Sequence, residues 1–317
     1  MLRSPLLYLS NAGWARRLIT RLGVARRTAH RFVAGETPDD AIAAIRALNS
    51  RGINATLDHL GESVTNQAEA TRAADDYVVV LGKIHANNAR ANVSIKLTQF
   101  GLDLDQDFCA RNARRVVEEA RRLDNFVRID MEDSAHTDGT IAVFRNLHQE
   151  FDNVGLVLQA YLYRTAADLE ALIAESAPIR LCKGAYKEPP DKAFPRKADV
   201  DANYLSLARR LLAEGARAQP ATAGAGRWPP LAAIATHDEK IVRAVEAHAT
   251  AIGLPRQSFE FQMLYGIRRD LQQRLAAAGY PVRVYVPYGT EWYPYFMRRL
   301  AERPANAWFF LSNLVKS

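Results

Sequence analysis

Cysteine is scarce in this 317-residue chain, and long apolar runs are absent. Its two cysteines, Cys109 and Cys182, stand far apart and match no metal or redox spacing, which favours a reducing compartment. No stretch of 18 or more apolar residues occurs, so the sequence holds no candidate membrane-spanning helix. Residues 1–20 lack a continuous apolar segment with a small-residue cleavage site, which excludes a secretory signal. We therefore expect a cytoplasmic protein.

Lysine is also rare, since only eight of the 42 basic residues are lysine. The formal net charge is +7, but acidic residues interleave with the arginines almost everywhere, so no basic block typical of nucleic-acid binding stands out. The exception lies between Arg3 and Arg31, where seven arginines occur without an acidic residue. This arm is consistent with amphipathic helices packed on the main domain, or with peripheral contact at the inner face of a membrane.

Several motifs of common enzyme classes are missing. There is no GxGxxG and no GxxxxGK[ST], which excludes the usual dinucleotide and P-loop sites. A GxSxG elbow is absent, and no two of the seven histidines stand at the i, i+4 spacing of a zinc-binding helix.

What the sequence does contain is a repeated plan of strand, polar loop and helix. Thr37 with Pro38 predicts the start of a helix that Gly52 ends, and eight strand–helix units follow. The predicted strands are INATLDH, NVSIKLT, FVRIDME, VGLVLQAY, IRLCKGA, LAAIATH, FEFQMLYG and VRVYVPYG. Such alternation requires parallel strands with helices outside, so we predict a (β/α)8 barrel over residues 37–317, preceded by a basic helical arm at residues 1–36.

The two faces of these strands differ in polarity, because side chains at i and i+2 share a face. One face is apolar and is predicted to pack on the helices: Leu57, Val93, Ile95, Leu97, Val127, Ile129, Met131, Leu156, Leu158, Ile179, Leu181, Phe259, Phe261, Met263, Val282, Val284 and Val286. The other face carries Asp58, Lys96, Asp130, Gln159, Arg180, Glu260, Gln262 and Tyr285. Buried charge is costly unless it is paired or used, so these side chains predict an active site at the barrel mouth.

Two chemistries stay open for that mouth. Asp130 and Glu132 with Lys96 would suit a metal-dependent lyase or aldolase, because acidic strand ends hold divalent ions in many barrels. The neighbouring Lys96 and Arg180 favour an anionic ligand instead. A non-enzymatic alternative is a basic module that binds nucleic acid or membrane through the N-terminal arm.

The segment 293–306 is predicted to be a helix with an unusual polar face. Tyr295, Arg298, Arg299 and Glu302 stand at i, i+3, i+4 and i+7, so they share one side. Two adjacent guanidinium forks are suited to a carboxylate, although a solvated ion pair with Glu302 accounts for the same spacing.

Between Thr56 and Asn306 the chain resembles the proline dehydrogenases, both the single-domain bacterial form and the corresponding domain of bifunctional proline-utilisation flavoenzymes. The similarity rests on nine motifs in the order TLDHLGE, SIKLTQFG, RIDMED, LQAYLYR, RLCKGAY, ATHD, FEFQMLYG, YVPYG and YFMRRLAERPAN. The resemblance implies a distorted (β/α)8 barrel with N-terminal helices and a final substrate-binding helix over its mouth. It also implies noncovalently bound FAD, hydride transfer from C5 of L-proline to flavin N5, the product Δ1-pyrroline-5-carboxylate, and electron transfer to a quinone. A pyrroline-5-carboxylate dehydrogenase would then act on the product.

The same resemblance implies roles for individual residues. For the substrate they are Lys96, Tyr285, Arg298 and Arg299, with Leu264, Tyr186 and Tyr295 nearby and Glu62 or Glu302 orienting the arginines. For FAD they are Met131, Gln159, Lys183, Gly184, Ala185, Thr236 and His237, with Arg196 at the pyrophosphate. Asp130 and Arg180 match family positions that are catalytic. We expect no metal and no nucleic acid in the function that the resemblance implies.

Overall fold

The computed structural model describes residues 28–61, 64–216 and 226–302, with side chains up to residue 300. Its centre is a closed barrel of eight parallel strands that pair in sequence order, with the last strand pairing with the first. The barrel predicted from the alternating strands and helices is therefore confirmed. Among the described residues, no helix combines the length and the apolarity needed to cross a bilayer.

Strands and helices alternate through the described part of the chain. The strands are β1 (Asn54–His59), β2 (Ala91–Ile95), β3 (Val127–Ile129), β4 (Val154–Gln159), β5 (Ile179–Cys182), β6 (Ala232–Ala235), β7 (Phe259–Leu264) and β8 (Val282–Tyr288). The helices are α1 (Pro38–Asn49), α2 (Gln67–Ala86), α3 (Gln106–Arg122), α4 (Thr137–His148), α5 (Thr165–Ala174), α6 (Lys197–Gly215), α7 (Glu239–Ala251), α8 (Arg269–Ala277) and α9 (Trp292–Glu302).

Capping side chains determine where several helices begin. At α1 the Thr37 side chain accepts from the backbone N–H of Asp40, and the Asp40 carboxylate accepts in return from the N–H of Thr37. This reciprocal pair satisfies two N–H groups that a helix start otherwise leaves unbonded. Asn66 and Asp105 cap α2 and α3 in the same way with one bond each.

The apolar face predicted for the strands is buried as one continuous core. Every member of that set, from Leu57 to Val286, belongs to the cluster that lies between the barrel and its helices. All eight strands are shorter than the predicted segments; β2, for example, ends at Ile95 and β3 at Ile129. After Ile95 the backbone turns into a short 3-10 helix, so Lys96 and Asp130 stand just beyond their strands, at the mouth.

Polar side chains also fill the interior below the mouth. Arg283 donates from Nε to both carboxylate oxygens of Glu260, at 2.9 and 3.2 Å, and each side chain is only 1% exposed. Arg128 is buried as well and stands opposite Gly155 in β4. A Cβ atom at Gly155 would lie 2.5 Å from Nη1 of Arg128, so the glycine leaves room for this guanidinium.

Helix α9 lies over the barrel on a separate apolar cluster. Its Trp292, Tyr293 and Phe296 are buried together with Phe32 and Val33, which precede α1. Backbone hydrogen bonds attach this early segment to the barrel, as in the 2.8 Å bond from Ala34 N to Pro287 O. The predicted helix is thus present from residue 292 to the last described residue. Residues 1–27 lie outside the described ranges, and the division into an arm at 1–36 and a barrel at 37–317 stays a prediction.

Candidate active site

A cavity of about 1280 Å³ opens at the C-terminal ends of the strands, beneath α9. Drug-sized ligand pockets are commonly about 300 to 1,000 Å³, so this one has room for a large cofactor and a small substrate. Thirteen residues to which the resemblance assigns catalytic, substrate or cofactor roles line it, whereas Arg196 does not: Lys96, Asp130, Met131, Gln159, Arg180, Lys183, Gly184, Ala185, Thr236, His237, Tyr285, Arg298 and Arg299. Their roles stay predictions, but their proximity is a property of the fold.

Lys96 is the centre of a polar network that joins four strands, β1, β2, β3 and β8. Its Nζ donates to Oδ1 of Asp58 at 2.5 Å and to the hydroxyl of Tyr285 at 3.1 Å, and lies 3.5 Å from Oδ2 of Asp130. The Tyr285 hydroxyl donates in turn to Asp130 at 2.7 Å. The ammonium, the phenol and the two carboxylates therefore hold one another in place.

Arg180 fixes the opposite side of the same network. Its Nη1 donates to Oδ1 of Asp130 at 2.8 Å, and its Nη2 donates to the hydroxyl of Ser94 at 3.0 Å. The guanidinium lies 5.5 Å from the centre of the Tyr285 ring. Asp130 thus neutralises a buried arginine while it accepts from Tyr285.

The surroundings change the acidity of Lys96 and Tyr285. Burial by itself lowers the pKa of Lys96, but the carboxylates of Asp58 and Asp130 outweigh it, so the pKa lies above the usual lysine value. Burial, then Asp130 and Asp58, raise the pKa of Tyr285 well above the usual value. Lys96 consequently stays cationic and Tyr285 stays a neutral donor across the physiological pH range.

The two arginines of α9 both face the cavity but in different settings. Arg298 is exposed to solvent, whereas Arg299 is buried, with its guanidinium 5.0 Å from the centre of the Tyr295 ring. Tyr295 and Leu264 line the same cavity. Glu62 lies outside the described residues, and so does the side chain of Glu302, so their predicted contacts with the arginines stay predictions.

The β4 and β5 side of the wall presents buried polar atoms to the cavity. Gln159 donates from Nε2 to the carbonyl of Met131 at 3.2 Å, which leaves its Oε1 without a partner among the described residues. Within those same ranges, Nε of Arg180 also has no partner. Gly184 has a φ of +115°, and a Cβ there would lie 2.3 Å from the Tyr161 ring, so only glycine fits this turn.

Two lysines of the cavity wall are paired with two aspartates. Lys183 contacts Asp201 at 2.5 Å and Asp238 at 3.1 Å, and Lys197 contacts the same two carboxylates. Arg196, which the sequence placed at a pyrophosphate, is exposed, pairs with Asp199, and is not among the residues that line the cavity. The neighbouring residue, Lys197, does line the cavity.

His237 links the ends of β6 and β7. Its Nε2 accepts from the backbone N–H of Leu264 at 2.8 Å, so this nitrogen carries no proton. The imidazole is therefore held as the tautomer protonated on Nδ1. Thr236 is buried beside it and accepts from the N–H of Asp238 at 3.1 Å.

The acidic residues considered for a metal are engaged by protein groups. Both oxygens of Glu132 accept from Thr98, from its backbone N–H at 3.1 Å and from its hydroxyl at 2.6 Å. Asp130 accepts from Arg180 and Tyr285 and lies close to Lys96. Over the described ranges, no three His, Cys, Asp or Glu side chains are arranged to hold a metal ion. The geometry therefore gives the metal-dependent lyase no ligand set.

The charges around the cavity nearly balance. Seven Lys or Arg and six Asp or Glu line it, so the described wall has a formal net charge of only +1. Preference for an anion therefore depends on the local arrangement of charges, to which Lys96 and the exposed Arg298 in the cavity wall contribute more than the total charge does.

Asp58 is the residue that sequence reasoning undervalued. The alternation of β1 placed it on the polar face but assigned it no role, whereas the fold buries it directly beneath Lys96. The available signal was that an acidic residue on β1 and a lysine after β2 both faced the interior. Thr98, which holds Glu132, was also missed.

Comparisons with known proteins show the family to which the chain belongs. Residues 41–311 match the family model described as Proline dehydrogenase. Proline dehydrogenase 1 of Bacillus subtilis (strain 168) is 40% identical over 320 residues, which is 100% of both chains. The proline dehydrogenase of Deinococcus radiodurans is 45% identical over 293 residues, or 91% of this chain and 90% of that protein. The crystal structure of proline utilization A from Bdellovibrio bacteriovorus, inactivated by N-propargylglycine, has a TM-score of 0.77 at 26% identity and covers 87% of this chain and 32% of that one.

Proposed function

Because the chain belongs to the proline dehydrogenase family, we propose that its cavity binds L-proline beside a noncovalently held FAD and oxidises the proline to Δ1-pyrroline-5-carboxylate. Membership makes the chain an oxidoreductase of proline catabolism. The observation that best supports the finer proposal is that one cavity brings together the residues that the resemblance assigns to substrate and cofactor, with Arg196 as the exception among the described side chains.

Arg298, Arg299 and Lys96 would bind the proline carboxylate. A guanidinium fork donates two parallel hydrogen bonds to a carboxylate, and a charged lysine adds a third donor. Asp58 and Asp130 keep Lys96 charged for this purpose. With the carboxylate held, the pyrrolidine ring would lie against Tyr285, and such fixed orientation supplies several kcal/mol of barrier reduction.

The residues present fit a flavin. Gln159 Oε1 and Arg180 Nε are buried polar atoms of the cavity wall that have no partner in the described part of the chain, so they can bond to a polar ring system. When bound, FAD supplies the oxidising chemistry by accepting a hydride from C5 of proline at its N5, and a quinone reoxidises it. Arg180, held by Asp130 and Ser94, keeps a positive charge where it stabilises negative charge that develops in the transition state.

The quinone acceptor and a pyrroline-5-carboxylate dehydrogenase acting on the product are further parts of this proposal. Their support is the family resemblance rather than a feature of the cavity. Peripheral contact with a membrane would involve the basic segment 3–31, of which residues 28–31 lie within the described ranges.

The absorption spectrum of the purified protein tests the proposal directly. We expect a yellow protein with flavin bands that bleach when L-proline is added without oxygen. Protein that stays colourless after reconstitution with FAD would exclude this function. Bands that persist in the presence of proline would exclude proline as the donor.

Replacement of Arg298 tests the carboxylate site. Arg298→Met should raise the proline concentration needed for half-bleaching by about 10- to 100-fold, since a hydrogen bond to a charged group contributes about 1.5–3 kcal/mol. Flavin content should be unchanged. Arg51→Met, at an exposed arginine that does not line the cavity, is the control. Unaltered proline titration in Arg298→Met would remove this residue from the site.

A further inference from the structure

Three loops of the barrel mouth meet at the carboxylate of Glu188. The backbone N–H of Ser134, in the loop after β3, donates to Oε1 at 2.8 Å, and the Ser134 hydroxyl donates to Oε2 at 2.5 Å. Tyr161, in the loop after β4, donates from its hydroxyl to Oε1 at 3.2 Å. Glu188 itself belongs to the loop after β5. One side chain thus joins three consecutive loops.

The segment 183–188 is wrapped around the side chain of Tyr161. The segment begins where Tyr161 N donates to the carbonyl of Lys183 at 2.8 Å. Gly184 then packs so closely on the ring that a Cβ atom would lie 2.3 Å from it, and the segment ends where Glu188 accepts from the hydroxyl. Between these points lie Ala185 and Tyr186, which line the cavity and are otherwise exposed.

The later part of the same loop is fixed independently of Glu188. Phe194 N donates to the carbonyl of Tyr161 at 2.8 Å, and Tyr163 N donates to the carbonyl of Lys192 at 3.1 Å. The rings of Tyr163 and Phe194 meet edge to face, with centroids 4.6 Å apart. Loss of the Glu188 contacts would therefore release the cavity-lining part without detaching the whole loop.

We propose that Glu188 is a positioning residue that fixes Gly184, Ala185 and Tyr186 in the cavity wall and sets the separation between the β3 and β5 loops. The inference rests on the proposed function, because the separation between the β3 and β5 loops matters only if the cavity holds a small ring substrate beside its cofactor. Glu188 does not line the cavity, so it acts through the residues that it holds. Its effect should appear in the affinity for proline, through Tyr186, and in the retention of FAD, through Gly184 and Ala185, and not in the chemical step.

The negative charge of Glu188 strengthens the hydrogen bonds that its carboxylate accepts. An ionised carboxylate only accepts hydrogen bonds, and all three of its contacts come from donors. Hydrogen bonds to a charged acceptor are about twice as strong as neutral ones. A glutamine with its oxygen at the Oε1 position still accepts from Ser134 N and from Tyr161. It loses the negative charge, and its amino group cannot accept from the Ser134 hydroxyl.

Three variants and one control test the proposal. Glu188→Ala removes all three contacts, Glu188→Gln keeps an oxygen for the two contacts at Oε1 but removes the charge, and Ser134→Ala removes the hydroxyl contact alone. Lys187→Ala is the matched control, because Lys187 is the exposed neighbour in the same loop. Amide hydrogen exchange is followed at Ser134 and at residues 184–188, with the Phe194 amide as an internal reference. Steady-state oxidation of proline is measured in parallel.

In Glu188→Ala we expect exchange at Ser134 and in 184–188 to accelerate at least about tenfold, an intermediate effect in Glu188→Gln, and none in Lys187→Ala. KM for proline should rise severalfold in Glu188→Ala while kcat stays within about twofold, since Lys96, Asp130 and Arg180 keep their partners.

Wild-type exchange rates in folded Glu188→Ala, or faster exchange with an unchanged KM, would overturn the proposal. If the wild-type protein does not oxidise proline, the proposed function fails, while the exchange data still decide whether Glu188 holds the segment.

Discussion

Lys96 stays protonated because two carboxylates, from β1 and from the end of β3, stabilise its positive charge. Asp58 of β1 lies beneath it at 2.5 Å, and Asp130, which follows β3, lies at 3.5 Å on the other side. Burial favours the neutral amine, so the cation persists only because these carboxylates outweigh desolvation. Two carboxylates of the cavity wall thus keep charged a group that the proposed function requires.

Replacement of Asp58 should make proline binding sensitive to alkaline pH. In Asp58→Asn the desolvation of Lys96 remains while its nearer carboxylate is lost, so the pKa of Lys96 falls. The ammonium then loses its proton within the accessible pH range, and KM for proline rises as the pH passes the lowered pKa. Measurement of KM between pH 7 and about pH 10 in both proteins checks this.

The control for this experiment is Asp152→Asn, which removes one carboxylate from an exposed turn. It should leave the pH dependence of KM unchanged. A parallel KM profile for Asp58→Asn and the wild type would show that Asp130 alone keeps Lys96 charged, and the role assigned to Asp58 would be wrong.

At the scale of elements, the loop between β3 and α4 is held at both of its ends. Ser134 binds the β5 loop through Glu188, while His136 lies between Asp133 of its own loop and Asp103, which precedes α3. The ring nitrogens of His136 are 2.6 and 2.7 Å from these carboxylates. Because a carboxylate only accepts, both nitrogens must carry hydrogen, which makes His136 a cation.

This loop should lose part of its stability at alkaline pH. Burial lowers the pKa of His136, but hydrogen bonds to Asp103 and Asp133 raise it above the usual value. A raised folded-state pKa gives a contribution that is complete below the unfolded pKa of about 6.5 and is lost as the pH rises through the folded pKa. His136→Gln should therefore reduce the free energy of unfolding by about 1 kcal/mol or less at pH 6, because the two aspartates are half exposed.

The difference in urea midpoint between His136→Gln and the wild type should shrink as the pH is raised from about 6 to about 9. His85→Gln, at an exposed histidine of α2, serves as the comparison and should show no such trend. A constant difference across this pH range would mean that His136 acts through packing and not through its charge.

The sequence predicted the strands better than it predicted which side chains contact each other. Alternation with a period of two identified all eight strands and their core-facing residues, because that pattern is local. It also placed Asp58, Glu260 and Arg180 on the inner face. It did not show that Glu260 pairs with Arg283, since that pairing depends on the register between β7 and β8. The predicted strands NVSIKLT and FVRIDME ran past the observed ends, because polar residues there continue the alternation while the backbone already turns.

Close contacts between residues that are distant in sequence could not be predicted either, because they also depend on how the strands and loops are arranged in space. Gly155 lies inside the strand pattern VGLVLQ and carries no local turn signal, yet it is required by the Arg128 side chain from the adjacent strand. Glu188 lies in the loop after β5, beside Pro189 and Pro190, where the local sequence does not show which residues its side chain contacts. Its importance comes from Ser134 and Tyr161, which are 54 and 27 residues away in sequence.

At the scale of the whole molecule, the barrel has buried charged side chains from its floor to its mouth, and its stability depends on the partners of these charges. The lowest pair, Arg283 with Glu260, is almost fully buried, and Glu260 also accepts from Gln262. Removing one partner of a buried pair leaves an uncompensated charge, which costs about 3–5 kcal/mol. Replacing both by apolar residues of similar size is often close to neutral.

A double-mutant cycle on Arg283 and Glu260 tests whether this ion pair adds to the free energy of unfolding, or whether each charge only offsets the cost of burying the other. Arg283→Met should lower the free energy of unfolding by about 3–5 kcal/mol, and the double variant with Glu260→Met should recover most of this loss. Urea denaturation measures both. The exposed pair of Arg145 and Glu175 is the control, where Arg145→Met should cost less than about 1 kcal/mol. Arg283 also donates to the carbonyl of Ala55 at 2.8 Å, so a double variant that stays as unstable as the single one would assign the stability to this bond between β8 and β1.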